Sequence, residues 1–204
     1  MTDDVLGVVL AGGAGVRVGG ADKGLLPLCG RPLVGHVLDR LRPQCNRLLI
    51  IANRNIDEYA RHAPAVHDGI EGHAGPLAGL AAAFGFVDAN RHALPRWLLT
   101  APVDCPDPPG DLAERLHAGL MKHIDARCAY VQRADRPQPL FALYRIDNVA
   151  LCRSSAQAAL REHASPTRWH AETGAIAVDF DDAIGAFHNL NTPEDFRDYE
   201  RRHG

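Results

Sequence analysis

The sequence predicts a three-layer α/β/α fold, in which helices cover both faces of a mainly parallel, twisted sheet. Short apolar runs typical of buried strands alternate with longer segments in which apolar residues recur at helical spacing. The clearest strands are expected at 5–10, 48–52 and 97–101, and the clearest helices at 32–42 and 76–89. Strands that alternate with helices form parallel sheets, because each helix carries the chain back before the next strand begins.

The remaining segments extend the same alternation to the C-terminus. Leu25–Leu28 suggests an extended piece followed by a turn, residues 133–138 read as a polar loop, and Thr192-Pro193 followed by two acids marks the start of a last helix. Further strands are expected at 65–67, 128–132, 139–144 and 175–180, and further helices near 56–62, 111–121, 149–163 and 167–172.

Length and composition are those of one globular domain, expected to span residues 1–204. Apolar residues make up 46% of the chain and charged residues 23%, which is ordinary for a protein with a sizeable core. The net charge of −3 gives no basic field for nucleic acid, and no apolar run is long enough to span a membrane. The five cysteines are scattered without a Cys-x-x-Cys pair, which favours reduced thiols in the cytoplasm over disulfides or zinc.

The most informative stretch is glycine-rich and follows the first strand. Residues 10–25 contain six glycines, at positions 12, 13, 15, 19, 20 and 24, together with Arg17 and Lys23. Glycine allows backbone amides to turn into one concavity and to approach a ligand closely, and such a concavity binds anions. The pattern predicts a cradle for phosphates, expected to be those of a nucleoside triphosphate, with a ligand-free surface turn as the alternative.

Two familiar phosphate loops are excluded by spacing. A Walker loop requires Gly-Lys followed by Ser or Thr, whereas Lys23 follows Asp22 and precedes Gly24. A dinucleotide fingerprint that begins at Gly13 would require glycine at position 18, where Val18 stands.

A carboxylate follows the central strand. Asp104 lies between Pro102 and Pro106, directly after the apolar run 97–101. Mg²⁺ prefers oxygen ligands and commonly uses one or two carboxylates together with substrate phosphates. Asp104 is therefore a candidate metal ligand, and a turn or helix-cap aspartate is the alternative. Cys105 has no activating base at a recognisable spacing, so we expect it to fill space.

Several of these motifs occur together in one known family. Leu10-Ala11-Gly12-Gly13, then Gly20-Ala21-Asp22-Lys23-Gly24-Leu25, then Gly75-Pro76-Leu77-Ala78-Gly79 and Asn189-Leu190-Asn191-Thr192-Pro193-Glu194 resemble the molybdenum cofactor guanylyltransferases. The resemblance covers most of the chain and implies a Rossmann-like nucleotidyltransferase fold. It also implies transfer of GMP from GTP to molybdopterin with release of pyrophosphate.

The resemblance assigns roles residue by residue. Arg17, Lys23 and Asp104 would be catalytic, with Lys23 holding the triphosphate, Arg17 stabilising the leaving pyrophosphate and Asp104 binding Mg²⁺. Asn189 and Asn191 would bind molybdopterin. Their alternation about Leu190 places both amides on one side of an expected strand, and tying that strand to a neighbour is the alternative role. The expected nucleotide-binding residues are Leu10, Ala11, Gly12, Gly13, Gly15, Lys23, Asn53, Asp68, Gly75, Pro76, Leu77, Gly79 and Asp104.

Some positions leave the pattern or admit a second explanation. Val18 replaces the family's common Met, and Ile51 replaces a residue that is often polar in relatives. The small residues at 75–79 are equally consistent with tight packing of a helix on the sheet, and Arg133 and Arg136 with either an acceptor phosphate or solvated loop charges.

Three other functions are compatible with the sequence. A cytidylyltransferase of the same fold would usually carry Leu-Ala-Ala-Gly at positions 10–13, and sugar-phosphate nucleotidyltransferases are usually longer. A cofactor chaperone without catalysis is the third. Molybdoenzymes or their chaperones are the expected protein partners.

Overall fold

The computed structural model describes residues 4–12, 22–69, 75–90, 96–147 and 149–203. The strands in these ranges are β1 Val5–Leu10, β2 Pro27–Leu28, β3 Arg31–Pro32, β4 Arg47–Ala52, β5 Ala65–His67, β6 Trp97–Pro102, β7 Cys128–Arg133, β8 Arg136–Arg145 and β9 Ile176–Asp179. The α-helices are α1 Leu33–Leu41, α2 Ile56–Ala60, α3 Pro76–Ala89, α4 Leu112–Lys122, α5 Val149–Arg161, α6 Pro166–Glu172 and α7 Pro193–His203.

Seven strands form one sheet in the order β5-β4-β1-β6-β8-β7-β9, while β2 and β3 pair as a separate hairpin. Only β8 runs antiparallel to its neighbours in the large sheet; the other pairs are parallel, as the alternation of strands and helices predicts. β8 differs because it follows β7 through a two-residue turn, which can join only antiparallel strands. Both turn residues, Ala134 and Asp135, have positive φ, as such turns require.

Two hydrophobic clusters fill the space between the sheet and its helices. In β1, Val5 and Val9 contact the cluster that contains α1, Tyr59 of α2 and α4. Leu6, Val8 and Leu10 point to the opposite face, where α3, α5 and α6 pack. This alternation produces the three layers that the sequence predicts. No helix in the described part of the chain has the length and apolar character needed to cross a bilayer.

The carboxyl ends of β4, β1 and β6 meet at one edge of the sheet. Because β8 is antiparallel to β6, the amino end of β8 and the β7–β8 turn lie at the same edge. The polar loop expected at 133–138 is therefore largely a hairpin, with 136–138 in β8. Open α/β sheets bind ligands at this edge, so the candidate site is sought there.

Candidate active site

Lys23 lies at the centre of the site and contacts two residues that are far away in sequence. Its Nζ donates to Asp104 Oδ2 at 3.1 Å and to Asn191 Oδ1 at 2.8 Å. The side chains of Lys23 and Asp104 are only 17% and 24% exposed. The Lys23 ammonium thus links three residues with separately predicted roles. These are Lys23 itself for the triphosphate, Asp104 for the metal and Asn191 for the acceptor.

Asp104 is held in place by its backbone. It follows β6 in a turn, where the N–H of Val103 donates to Leu10 O at 3.0 Å and Asp104 O accepts from the N–H of Leu190 at 2.8 Å. The first bond ties the turn to the end of β1, and the second ties it to the segment before α7. The carboxylate is therefore fixed between the glycine-rich stretch and the Asn189–Asn191 motif.

The donor set around Lys23 suits a single divalent ion. Within the described ranges no three His, Cys, Asp or Glu side chains cluster closely enough to hold a metal. A Mg²⁺ bound with a nucleotide needs only one or two protein oxygens, since phosphates and water supply the rest. The Asp104 carboxylate and the Asn191 amide oxygen already surround one cation, the Lys23 ammonium, so their charge and placement fit the ion.

Cys105 does not supply a nucleophile. The thiol is fully buried, and burial raises its pKa to about 12, with a further increase from the Asp104 carboxylate. A thiol with this pKa stays protonated at neutral pH, which agrees with the expectation that Cys105 fills space.

The segment that carries Lys23 is anchored on α2. Asp22 accepts hydrogen bonds from the hydroxyl of Tyr59 and from Nδ2 of Asn55, and Gly24 packs against the Tyr59 ring. Sequence reasoning missed Tyr59 and gave Asn55 no role of its own, although Asn55 closely follows the second predicted strand. It selected Asn53, which is half-buried just after β4.

Asp68 lies beside Gly12, the first glycine of the predicted phosphate cradle. Its backbone N–H donates to Ala52 O at 3.0 Å, and a Cβ added to Gly12 would stand 3.4 Å from Asp68 Oδ2. The carboxylate is nearly buried and lies 3.5 Å from His67 Nδ1. The structure therefore brings together Gly12 and Asp68, two predicted nucleotide-binding residues from the ends of β1 and β5.

Leu10 and Ala11 participate in the sheet through their backbones. Leu10 is buried and pairs with both neighbouring strands, and the N–H of Ala11 donates to Ile51 O at 2.7 Å. Any contact of these residues with a nucleotide would have to use other backbone atoms. The predicted residues Gly13, Gly15 and Arg17 lie outside the described residues.

The Gly75–Gly79 motif has two distinct parts. Gly75 caps α3 with φ of 78°, and both Gly75 and Pro76 are exposed. Leu77 is buried in the core, and a Cβ on Gly79 would meet Leu10 Cδ2 at 3.3 Å. Gly79 thus serves the close packing of α3 on the sheet, while Gly75 and Pro76 remain accessible to a ligand.

The strand predicted around Asn189 and Asn191 is wrong. Residues 187–191 form no strand; the backbone is anchored by Leu190, whose N–H bonds to Asp104 and whose side chain is buried against Leu28, Leu33 and Phe196. The Asn189 side chain is exposed, whereas Asn191 reaches Lys23.

Sequence comparison identifies the family. The model of the MobA-like NTP transferase domain matches residues 7–175. The chain belongs to this family of NTP transferases. A molybdenum cofactor guanylyltransferase from Shewanella loihica is 37% identical over 196 residues, with 95% of this chain and 94% of the relative covered. Another, from Yersinia pseudotuberculosis, is 37% identical over 203 residues, with 99% and 98% covered.

The fold agrees with that of a solved crystal structure. The crystal structure of molybdopterin-guanine dinucleotide biosynthesis protein A from Archaeoglobus fulgidus superposes with a TM-score of 0.73, and 97% of each chain is covered. At 23% identity this likeness shows the α/β nucleotidyltransferase fold. The enzyme class therefore rests on the family match, and the cluster of Lys23, Asp104 and Asn191 is the candidate site within the described residues.

Proposed function

We propose that the protein transfers GMP from GTP to molybdopterin and releases pyrophosphate. The observation that carries this proposal is the placement of the Lys23 ammonium between Asp104 and Asn191 at the carboxyl edge of the sheet. The relatives named molybdenum cofactor guanylyltransferase, matched over nearly their whole length, support guanine over cytosine as the base.

The reaction requires positioning and charge neutralisation more than covalent catalysis. An oxygen of the terminal phosphate of molybdopterin attacks the α-phosphorus of GTP, a new P–O–P bond forms, and the α–β phosphoanhydride bond breaks. The pyrophosphate leaves with that electron pair. The attacking phosphate is already an anion at neutral pH, so no general base is needed.

Lys23 and Arg17 carry the positive charge that the chain offers to the triphosphate. In the described structure, Lys23 is neutralised by Asp104. Asp104, with the amide oxygen of Asn191, would hold Mg²⁺, which when bound supplies Lewis-acid neutralisation of phosphate oxygens. Lys23 then donates to the phosphates, and Arg17 is assigned to the leaving pyrophosphate.

The base and ribose are assigned to the carboxyl ends of β5, β4 and β1, which are neighbours in the sheet. Asp68 presents acceptor oxygens beside Gly12, and the exposed Gly75 and Pro76 begin α3 after β5. Guanosine has donors on both base and ribose, which suits a nearly buried carboxylate at this position. Asn53 stays a nucleotide-binding prediction.

The acceptor is assigned to the opposite side of Lys23. Asn189 is exposed next to the Asp104 tether, and Arg136 is exposed at the β7–β8 turn. Molybdopterin carries a phosphate and several polar ring atoms, which these side chains can bind. We place the reaction in the cytoplasm, where thiols stay reduced; the five cysteines are free. Molybdoenzymes or their chaperones would receive the product.

Pyrophosphate release tests this proposal. Purified protein is incubated with molybdopterin, Mg²⁺ and either GTP or CTP, and each reaction is repeated with EDTA. Release with GTP that EDTA abolishes is the expected result. Preference for CTP would identify a cytidylyltransferase, and nucleotide binding without release would favour a non-catalytic chaperone; either outcome overturns the proposal.

A further inference from the structure

Asp22 is a nearly buried carboxylate directly before Lys23. Its side chain is 8% exposed and accepts from the hydroxyl of Tyr59 at 2.5 Å and from Nδ2 of Asn55 at 3.0 Å. Arg54 Nε lies 3.5 Å from Oδ2. A charged group this far out of water is stable only with such partners, so its position is strongly determined.

Tyr59 provides a fixed reference point for this carboxylate. Its ring is completely buried in the core cluster beneath α1 and α4, so it cannot move without repacking that core. Burial and the hydrogen bond to Asp22 both raise the pKa of Tyr59, so the hydroxyl remains a donor. Asn55 lies at the start of α2 in the left-handed region, with φ of 52°, a conformation that asparagine tolerates well.

Gly24 ties the other side of Lys23 to the same tyrosine. A Cβ at position 24 would collide with the Tyr59 hydroxyl and stand 2.9 Å from Val103 Cγ2. Tyr59 therefore contacts the residues on both sides of Lys23, by a hydrogen bond to Asp22 and by close packing against Gly24. Val103 directly precedes Asp104, so the same contact sets the distance between the Lys23 and Asp104 segments.

We propose that Asp22, held by Tyr59 and Asn55, is a positioning residue that fixes the Lys23 ammonium for nucleotidyl transfer. The inference rests on the proposed function, since it assigns these residues to the reaction through Lys23. None of the three needs to touch substrate. A misplacement of about 1 Å at a reacting group can cost roughly 100-fold in rate, so loss of this anchor should be measurable.

A purely structural anchor would behave differently. Removing such an anchor would lower the free energy of unfolding, but the folded fraction would turn over normally, and the size of the effect would not depend on Lys23. Removing a positioning residue instead lowers kcat with little change in GTP affinity. This effect disappears when Lys23 has already been replaced. Double-mutant cycles measure this difference directly.

The test uses Tyr59→Phe, which removes one oxygen and leaves the ring in place. Tyr144→Phe is the matched control: Tyr144 is equally buried, and its hydroxyl bonds to His170 Nε2 at 2.9 Å on the opposite face of the sheet. Pyrophosphate release is measured for both variants, for Lys23→Ala and for Lys23→Ala/Tyr59→Phe. GTP affinity is measured by calorimetry.

We expect Tyr59→Phe to lower kcat roughly 10- to 100-fold with GTP affinity within about threefold, and Tyr144→Phe to stay within about twofold of wild type. Tyr59→Phe should have no further effect in the Lys23→Ala background. Asp22→Asn, which keeps an acceptor for Tyr59, should retain more activity than Asp22→Ala.

Two results overturn the inference while wild type is active: a wild-type kcat for Tyr59→Phe, or an equal loss with and without Lys23. If Asp22→Ala fails to fold, the inference is still tested, because the kcat of Tyr59→Phe with and without Lys23 decides it. Absence of turnover in wild type itself would instead overturn the proposed function, so the two failures are distinguishable.

Discussion

The two halves of the sheet present different surfaces to the site. In the half that we propose binds the nucleotide (the nucleotide half: β5, β4, β1 and β6), two carboxylates at the carboxyl edge are nearly buried: Asp22, which accepts from Tyr59, and Asp68, which lies beside Gly12. In the half that we propose takes the acceptor (the acceptor half: β8, β7 and β9), the same edge carries exposed side chains such as Arg136 and Ile184. If these assignments hold, the triphosphate meets carboxylates that are already fixed in place, and the acceptor meets side chains that are open to solvent.

This difference separates two kinds of substitution. Changes in the nucleotide half should disturb the reacting geometry and therefore kcat, while changes in the acceptor half should disturb capture of the second substrate and therefore its KM. Asn191 is the exception, because it belongs to the segment that follows β9 but bonds to Lys23.

The largest effect is expected for Lys23→Ala and Asp104→Ala. Each should lower turnover by at least roughly 100-fold, since each removes a charge that the proposed mechanism uses in the transition state. The loss of stability should be far smaller than the loss of turnover, because an ion pair that keeps some contact with water contributes on the order of 1 kcal/mol. Pyrophosphate release and thermal unfolding measure the two quantities, with Arg168→Ala, which breaks an exposed pair with Glu172, as the control. Wild-type turnover in either folded variant would remove that residue's role.

Asn191→Ala tests whether the two halves act together at Lys23. Loss of a hydrogen bond to a charged group corresponds to about 1.5–3 kcal/mol, so we expect kcat to fall roughly 10- to 100-fold. Asn189→Ala, an exposed neighbour two residues away, should raise only the KM for molybdopterin. If both variants changed only that KM, Asn191 would belong with the acceptor half alone.

Arg136→Gln should have a smaller and more selective effect. Loss of one exposed cation near an acceptor phosphate should raise the KM for molybdopterin by roughly tenfold and leave the KM for GTP unchanged. The effect should shrink as salt is added, because exposed charges are screened. Arg127→Gln, before the opposite end of β7, is the matched control. Equal KM changes in both variants would show a general charge effect in place of a phosphate contact.

The acceptor half should also determine sensitivity to acid, with little effect on catalysis at neutral pH. Burial lowers the pKa of His170 from 6.5 to about 4, so between these values the unfolded chain binds a proton that the folded chain does not. The free energy of unfolding is therefore highest above pH 6.5. It should fall by a total of roughly 3 kcal/mol as the pH falls from 6.5 towards 4.

Denaturant unfolding from pH 7.5 to 4.5 measures this loss, and His170→Gln should flatten the pH dependence. The difference between wild type and variant cancels the contribution of other groups, including His117, whose pKa burial also lowers. If the free energy of unfolding of His170→Gln depended on pH as steeply as that of wild type, groups other than His170 would cause the acid sensitivity.

The layers and the strand positions could be predicted from the sequence because each depends on local apolar patterning. Lys23 and Asp104 could be selected for similar reasons: each lies in a short motif next to a strand that is easily recognised. The antiparallel β8 was harder to foresee, since Ala134-Asp135 is not a usual hairpin sequence and the flanking residues are polar.

The anchor beneath Lys23 had no local signal. Tyr59 lies in a helix where an aromatic residue usually indicates core, and nothing near it in sequence indicates a partner 37 positions earlier. The alternation Asn189-Leu190-Asn191 imitated a strand for a related reason. Leu190 is buried by Phe196 and the β2–β3 hairpin, and its backbone N–H bonds to Asp104. An apolar residue buried by such tertiary contacts gives the same alternating sequence pattern as a residue in a strand.

The bond between Lys23 and Asn191 spans 168 positions of the chain. At synthesis rates of about 5–20 residues per second, Asn191 is added roughly 10 to 30 seconds after the lysine. A nascent chain on the ribosome that has not yet reached Asn191 therefore lacks part of the proposed catalytic centre, and fragments released early should not consume GTP.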